Sequence, residues 1–180
     1  MPIPVGTYRF GPDNSTLQIN TSRTGAAAKA GHDLLIHVTD WQGALVLGAD
    51  AGESRIELDA DATSLHVREG TGGMKALEDD DRASIRQTID EDVLKKQRII
   101  FRSTSVQATD GGLHVQGDLT LVGQTRPVAF DVALSGGAVT AVAVIRQTDF
   151  GMKPYSALFG ALKVADEVKV TLAGTLAPGN

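Results

Sequence analysis

The chain has 180 residues, which suits one domain with a sizeable core, so we expect residues 1–180 to form a single domain. Seventeen Lys and Arg against 22 Asp and Glu leave a net charge of −5, which offers no basic field for nucleic acid and no polybasic run for an anionic membrane. Cysteine is absent, which excludes disulfides and thiolate sites, and no apolar run reaches the roughly 20 residues of a membrane-spanning helix.

Most of the chain alternates apolar and polar residues with a period of two, which is typical of antiparallel strands with one face in water. Turn-forming stretches such as GPDN, TDGG and SGGA separate the alternating segments. About ten short strands joined by hairpin-length turns predict a sandwich or a barrel. The segments are Thr7–Phe10, Thr16–Arg23, Asp33–Asp40, Gly43–Leu47, Arg55–Asp61, Ser64–Arg68, Arg98–Val106, Leu113–Val122, Arg126–Leu134, Ala138–Thr148 and Val168–Leu172.

One segment, residues 78–96, has helical periodicity instead. Ile85, Ile89 and Val93 follow one another at intervals of four residues and form a single apolar stripe. Three aspartates precede the stripe and two lysines close it, an arrangement that favours the helix dipole. We therefore expect one short amphipathic helix near residues 80–95, capped by one of the aspartates or by Ser84 and covering an open end or one face of the sheet.

The inward faces of the predicted strands mix branched aliphatic residues with small ones. Gly117 shares a face with Leu119, and Ala141 and Ala143 share a face with Ile145. A barrel of about eight strands either fills its interior with side chains or holds a ligand. Aromatic residues make up only 4% of the chain, which favours a cavity weakly. The pattern alone leaves a filled core and a ligand cavity both open.

The histidines and the glycine-rich motif do not predict a catalytic or metal centre. The stretch EGTGGMK at residues 69–75 lacks the spacing of a phosphate-binding loop. His32 and His37 are five residues apart on one strand, so they face opposite sides and cannot hold one metal ion. His32 and Asp33 could act as a base and its orienting partner, but no serine-nucleophile motif accompanies them. We predict no catalytic residue and no metal site.

The amino-terminal stretch MPIPVGTYRF lacks both the positively charged region and the long apolar region of a signal peptide. If Met1 is the natural start, we expect the protein to remain in the cytoplasm. The absence of cysteine fits a reducing compartment.

Several segments, taken in order, resemble the YceI-like family of lipid-binding proteins. The most specific is GDLTLVGQTRPVAFDV, which resembles the hairpin most characteristic of that family. Its neighbours RIIFRSTSV, IRQTDFGM and VADEVKVTL resemble, in turn, the preceding strand, an Arg-x-x-Phe-Gly element and the closing strand. The four segments cover residues 117–132, 98–106, 145–152 and 164–172.

The resemblance implies an all-β fold, an extended antiparallel lipocalin-like β-barrel of about eight strands around a long apolar tunnel. It also implies an isoprenoid or polyisoprenoid lipid as the ligand, no other cofactor, no stable membrane insertion and no catalysis, while a homodimer stays open. Many members carry a Tyr-Pro pair where this chain has Lys96 and Gln97. The divergent segment 78–96 is expected to cover the tunnel mouth.

We expect the tunnel to be lined by inward strand residues and by the irregular segment after Asp149. Arg146, Lys153 and Tyr155 are candidates for contact with a polar headgroup. The expected ligand-binding residues are Leu17, Ile19, Leu34, Ile36, Phe101, Leu119, Leu121, Val128, Phe130, Ile145, Phe150, Met152, Tyr155 and Phe159.

Two other functions stay open beside storage or transport of a lipid. One is an enzyme acting on a small apolar substrate, isoprenoid or polyketide-like, within the barrel, with His32, Asp33 or Tyr155 as acid or base. The other is a protein-interaction module that holds no ligand.

Overall fold

The computed structural model of the protein describes residues 3–73, 75–157 and 162–176. One α-helix, α1 (Asp79–Thr88), runs into a π-helical turn at Ile89–Val93. Short 3₁₀ turns lie at Ala28–Ala30, Ala51–Glu53 and Gln147–Phe150. The described strands are β1 (Gly6–Phe10), β2 (Ser15–Asn20), β3 (Arg23–Thr24), β4 (Asp33–Val38), β5 (Trp41–Leu47), β6 (Arg55–Ala60), β7 (Leu65–Thr71), β8 (Ile99–Thr109), β9 (Gly112–Leu121), β10 (Gln124–Ser135), β11 (Ala138–Arg146), β12 (Ser156–Ala157), β13 (Leu162–Val164) and β14 (Glu167–Thr175).

Eleven strands form one antiparallel sheet in the order β1-β5-β6-β8-β9-β10-β11-β14-β2-β4-β7. The strands β4 and β5 are two halves of one bent strand, and β6 and β7 are two halves of its neighbour. One half of the bent pair joins β2 through β4, and the other half joins β8 through β6. The two ends of the sheet are therefore connected through the bent pair, and the sheet closes on itself. With β1 and β2 also counted as one long strand, the result is an eight-stranded antiparallel barrel. The predicted fold class is therefore confirmed.

Backbone hydrogen bonds continue across the bend and hold the two halves together. The amide of Thr39 donates to the carbonyl of Ser64 at 2.9 Å, and the amide of Asp61 donates to the carbonyl of Asp40 at 3.0 Å. The carboxylate of Asp61 accepts from the amide and the hydroxyl of Thr63, at 2.8 Å and 2.7 Å. These bonds lower the pKa of Asp61 below its usual value, so the turn is fastened by an ionised carboxylate.

The motif GDLTLVGQTRP forms the hairpin that its alternation predicts. Gln124 pairs with Leu121, which leaves a two-residue turn, and the pairing then runs without a break to Ala133 and Gly112. Both turn residues have positive φ, 50° at Val122 and 72° at Gly123, as a type I′ turn requires. Glycine adopts this conformation freely, whereas a branched valine does so only under strain.

The helix begins close to the predicted position but with a different cap. Glu78 precedes it in an extended conformation, and its backbone amide donates to the Asp81 carboxylate at 2.9 Å. Glu78 is therefore the N-cap residue, and the expectation of an aspartate or Ser84 as the N-cap is wrong. The aspartate takes part from inside the helix, because the Asp81 side chain accepts the hydrogen bond of the N-cap amide. The α-helical part ends at Thr88, and the π turn carries the chain on to Val93.

Side chains fill one end of the barrel, where the β8–β9 and β10–β11 hairpins lie. Val115 is fully buried there, and the Tyr8 hydroxyl donates to the carbonyl of Pro4 at 2.6 Å. The opposite end carries the β9–β10 hairpin and the first residues of β4 and β14. The residues that fill the first end are Tyr8, Leu45, Val106, Leu113, Val115, Val132 and Val139.

Candidate ligand-binding cavity

The barrel encloses a cavity of about 560 Å³ that opens at the end of the β9–β10 hairpin. Its wall is mostly aliphatic and comes from strands all around the barrel. The volume lies within the roughly 300–1,000 Å³ of ordinary ligand sites. Of the two interiors that the sequence pattern leaves open, the structure therefore has the cavity.

Twelve of the fourteen residues predicted to contact a ligand lie in this wall. Phe150 is only 2% exposed but belongs to the core and not to the wall. Phe159 lies outside the described residues. Contact with a ligand stays a prediction for all of them. The twelve are Leu17, Ile19, Leu34, Ile36, Phe101, Leu119, Leu121, Val128, Phe130, Ile145, Met152 and Tyr155.

The helix and the π turn form part of the side wall of the cavity, whereas the sequence analysis expected them over an open end, one face of the sheet or the tunnel mouth. The strand β7 pairs only with β4, and β8 meets β6 only between Glu57 and Ala60. The chain between β7 and β8 lies over the resulting gap, so that Ile85, Ile89 and Val93 face the cavity. The apolar stripe was the available signal, but it indicates only a buried face and not what that face meets.

Most polar residues of the wall lie at the open end, where Arg23 joins several elements through hydrogen bonds. Its guanidinium donates to the carbonyls of Gly31 and Thr71 and lies 3.8 Å from the Asp33 carboxylate. The backbone amide of Arg23 donates to the same carboxylate at 2.8 Å. The other polar residues of this end are Thr21, His32, Gln147, Tyr155 and Lys163. Glu57 on β6 and Ser84 and Thr88 on α1 are further polar residues of the wall.

The glycine-rich stretch 69–75 passes beside this end. Gly72 and Gly73 have φ of 80° and 77°, a region that favours glycine. A Cβ atom on Gly73 would lie 2.5 Å from Nε2 of His32. That ring nitrogen donates a hydrogen bond to the carbonyl of Lys75 at 2.7 Å. The glycines thus permit close packing of a loop against the rim.

Two of the headgroup candidates do not lie in the wall. Arg146 alternates with the inward Ile145 and so points outward, where its Nη2 lies 3.3 Å from Glu167 Oε1. Lys153 is exposed and also absent from the wall. Tyr155 does line the cavity and is 50% exposed. The choice of Arg146 ignored the strand alternation, which decides its direction.

The geometry around His32 and Asp33 is that of structural residues. The backbone carbonyl of Lys75 accepts a hydrogen bond from Nε2 of His32, and the Asp33 carboxylate accepts one from the backbone amide of Arg23. Within the described ranges, no group of three or more His, Asp or Glu residues could hold a metal ion.

In the same part of the chain, no helix has the length and apolar character needed to cross a membrane.

The model of the YceI-like domain matches residues 8–176. The chain belongs to the YceI-like family. Among curated proteins none matches it. Of the solved structures, BcnA of Burkholderia cenocepacia is similar with a TM-score of 0.63 and 17% identity, covering 88% of this chain and 94% of that chain. The Campylobacter jejuni YceI protein is similar with a TM-score of 0.62 and 11% identity, covering 81% and 85%. These identities show a shared fold alone.

The YceI-like barrel is a lipocalin-like binding fold, and the cavity is where this chain has room for a ligand. The segment 78–96, which departs from the family pattern, supplies the helical wall. Lys96, which stands where the Tyr-Pro pair would begin, has a φ of 55°, and its amide donates to the carbonyl of Asp90 at 2.8 Å. The divergence thus lies at the wall of the binding site.

Proposed function

We propose that this YceI-like protein binds an isoprenoid, polyisoprenoid or similar long apolar lipid in the barrel cavity, for storage or transport and without catalysis. The observation that carries the proposal is the cavity of about 560 Å³ with an almost wholly aliphatic wall and polar groups at one end. Burial of the apolar surface of a lipid chain in this cavity contributes about 0.8 kcal/mol of binding free energy for each methylene group.

The shape of the wall supports a branched or unsaturated chain. The rings of Phe101 and Phe130 stand 5.3 Å apart at 56° and form an aromatic contact in the wall. Ala141 and Ala143 lie on β11, the strand next to that of Phe130, and their small side chains leave space at these positions of the wall. A wall of large and small apolar residues accepts methyl branches, and because few hydrogen-bonding groups fix the position of the chain, different chain lengths are tolerated.

The non-catalytic part of the proposal is supported by the structural contacts of His32 and Asp33. Nε2 of His32 donates to the carbonyl of Lys75, and Oδ1 of Asp33 accepts from the backbone amide of Arg23, so both side chains hold the rim together. A cytoplasmic location, the lack of a nucleic-acid partner and the open question of a homodimer stay predictions from the sequence.

The experiment is solvent extraction of protein purified from its own organism, followed by mass spectrometry of the extract. Delipidated protein is then titrated with farnesol, geranylgeraniol and straight-chain alcohols of matched carbon number. We expect a prenyl-chain compound in the extract, tighter binding of the longer prenyl alcohol, and recovery of every added alcohol with unchanged mass. An empty extract together with no uptake overturns the proposal, and a converted product overturns its non-catalytic part.

A further inference from the structure

A second cavity, of about 460 Å³, lies at the seam between α1 and β7, on the opposite side of the helix from the lipid cavity. The helix residues that line it, such as Arg82 and Arg86, differ from the inward Ile85 and Ile89. The two cavities therefore share a helix and no lining residue. The second cavity is lined by His66, Val67, Arg82, Ala83, Arg86, Gln87, Asp90, Glu91 and Lys96.

Three polar atoms of this seam are buried without a hydrogen-bond partner among the described residues. Two are donors, the Nε–H groups of Arg82 and Arg86, and one is an acceptor, Oδ1 of Asp90. The Arg86 side chain as a whole is 42% exposed, and its Nη2 donates to the carbonyl of Thr63 at 3.0 Å, but its Nε–H is out of contact with water. Buried polar atoms without partners cost free energy, so native structures satisfy nearly all of them. Arg86 and Asp90 do approach each other, at 4.0 Å between Nε and Oδ2, which is beyond hydrogen-bond distance.

The charge of the seam favours an anion. Arg82, Arg86 and Lys96 are cationic, while Asp90 and Glu91 are anionic, and Glu91 accepts from the Gln87 amide at 3.5 Å. Burial lowers the pKa of the neighbouring His66, and Arg86 and Arg68 lower it further against the opposing effect of Asp90. The residues that line the seam therefore carry three positive and two negative charges, although the whole chain carries a net charge of −5.

We propose that the seam between α1 and β7 is a binding site for inorganic hydrogen phosphate. Its oxygens accept from the Nε–H groups of Arg82 and Arg86, and its hydroxyl donates to Oδ1 of Asp90. Guanidinium groups bind such oxyanions through short charge-assisted hydrogen bonds. Sulfate has the same shape and charge but no proton to donate, so Asp90 repels it. The carboxylate thus makes the site selective for phosphate over sulfate.

The test is calorimetric titration of the protein with inorganic phosphate, sulfate and glycerol phosphate at pH 7 and matched ionic strength. We expect saturable phosphate binding, sulfate binding at least about tenfold weaker, and a rise in melting temperature with phosphate concentration. Glycerol phosphate is mostly a dianion without a proton at pH 7, so we expect it to bind about as weakly as sulfate. Glycerol phosphate that binds as tightly as phosphate overturns the proposed role of Asp90. Equal effects of phosphate and sulfate overturn the proposal.

Variants separate the site from a general salt effect. Arg82→Gln removes one donor and is expected to weaken phosphate binding about tenfold, since Arg82 makes no hydrogen bond or ion pair in the described chain that the fold would lose. Arg146→Gln is the control, because that arginine is exposed on β11 and its one ion-pair partner among the described residues is Glu167. Asp90→Asn supplies a donor and should narrow the gap between sulfate and phosphate. Unchanged binding in Arg82→Gln, with both proteins folded by circular dichroism, overturns the assignment.

Discussion

The phenyl ring of Phe101 lies so close over Gly117 that a Cβ atom on Gly117 would stand 2.5 Å from the ring. The carbonyl of Arg102 would lie at the same distance, 2.5 Å, on the neighbouring strand. The bare backbone of Gly117 therefore lets the ring lie against the barrel wall, where it also contacts Phe130. The width of the cavity beside Phe101 therefore depends on the absence of a side chain at Gly117.

Replacement of Gly117 by alanine is expected to lower the free energy of unfolding by about 1–3 kcal/mol, because the added methyl group must displace the ring or the strand. The displaced Phe101 ring moves toward the cavity, so uptake of geranylgeraniol should fall. Urea denaturation and alcohol titration measure the two effects. Gly52→Ala is the control, since no atom lies within 4 Å of its added Cβ. Equal stability of the two variants would contradict the argument.

The alternation of apolar and polar residues predicts which side chains of a strand point inward, but it does not predict the distance across the barrel. It places Leu119 and Ile145 inward and Arg146 outward, as the structure has them. Whether opposite walls touch depends on how far the sheet curls before β4 and β6 close the ring. This curvature is a property of the whole sheet, so the local pattern left the cavity and the filled core equally open.

The rim and the helical wall were harder to predict for a different reason. His32 and Lys163 lie outside the alternating segments, and Arg23 ends one of them. The directions of Arg23 and His32 depend on hydrogen bonds to carbonyls that are distant in sequence, those of Thr71 and Lys75. The apolar stripe of the helix was visible in the sequence. The position of the helix could not be predicted, because no local feature of the sequence shows that one edge of β7 has no strand beside it in the described part of the chain.

Filling the cavity should weaken lipid binding without unfolding the barrel. Ala141→Leu places three additional carbon atoms into the space beside β11, where the wall has only a methyl group. We expect uptake of geranylgeraniol to fall more than uptake of the shorter farnesol. Ala129→Leu is the matched control, because Ala129 is exposed on the outer face of β10. If both variants bind the two alcohols like the parent protein, the cavity is not the lipid site.

The helix should become more ordered when a lipid is bound. Ile85 and Ile89 face the cavity, while neighbouring residues of the same helix are exposed. A bound chain supplies these side chains with apolar contacts, so amide hydrogen exchange in residues 79–93 should slow on addition of geranylgeraniol. Ile85→Ser should weaken binding about fivefold, as expected for loss of roughly 1 kcal/mol of apolar contact. Asp80→Ser on the exposed side should not.

Two histidines should make the stability depend on pH between about 5 and 7. His37 and His66 face each other across β4 and β7. Burial lowers the pKa of both below 6.5, and the Arg68 charge lowers both further, while Glu69 opposes the shift at His37. As the pH falls, the unfolded chain therefore binds protons before the folded one. Their contribution to stability is complete above pH 6.5 and declines as the pH falls through the folded-state pKa values.

Urea midpoints measured at half-unit intervals from pH 8 to pH 5, in buffers without phosphate, check this dependence. The midpoint should fall below pH 6.5 in the parent protein, and the fall should be smaller in His37→Gln and His66→Gln and smallest in the double variant. Asp61 and Asp166, whose hydrogen bonds from Thr63 and Thr148 hold their pKa values below 3.8, titrate outside this window. A fall of the same size in the double variant would assign the pH dependence to other groups, because no histidine at the β4–β7 pair would remain to take up protons.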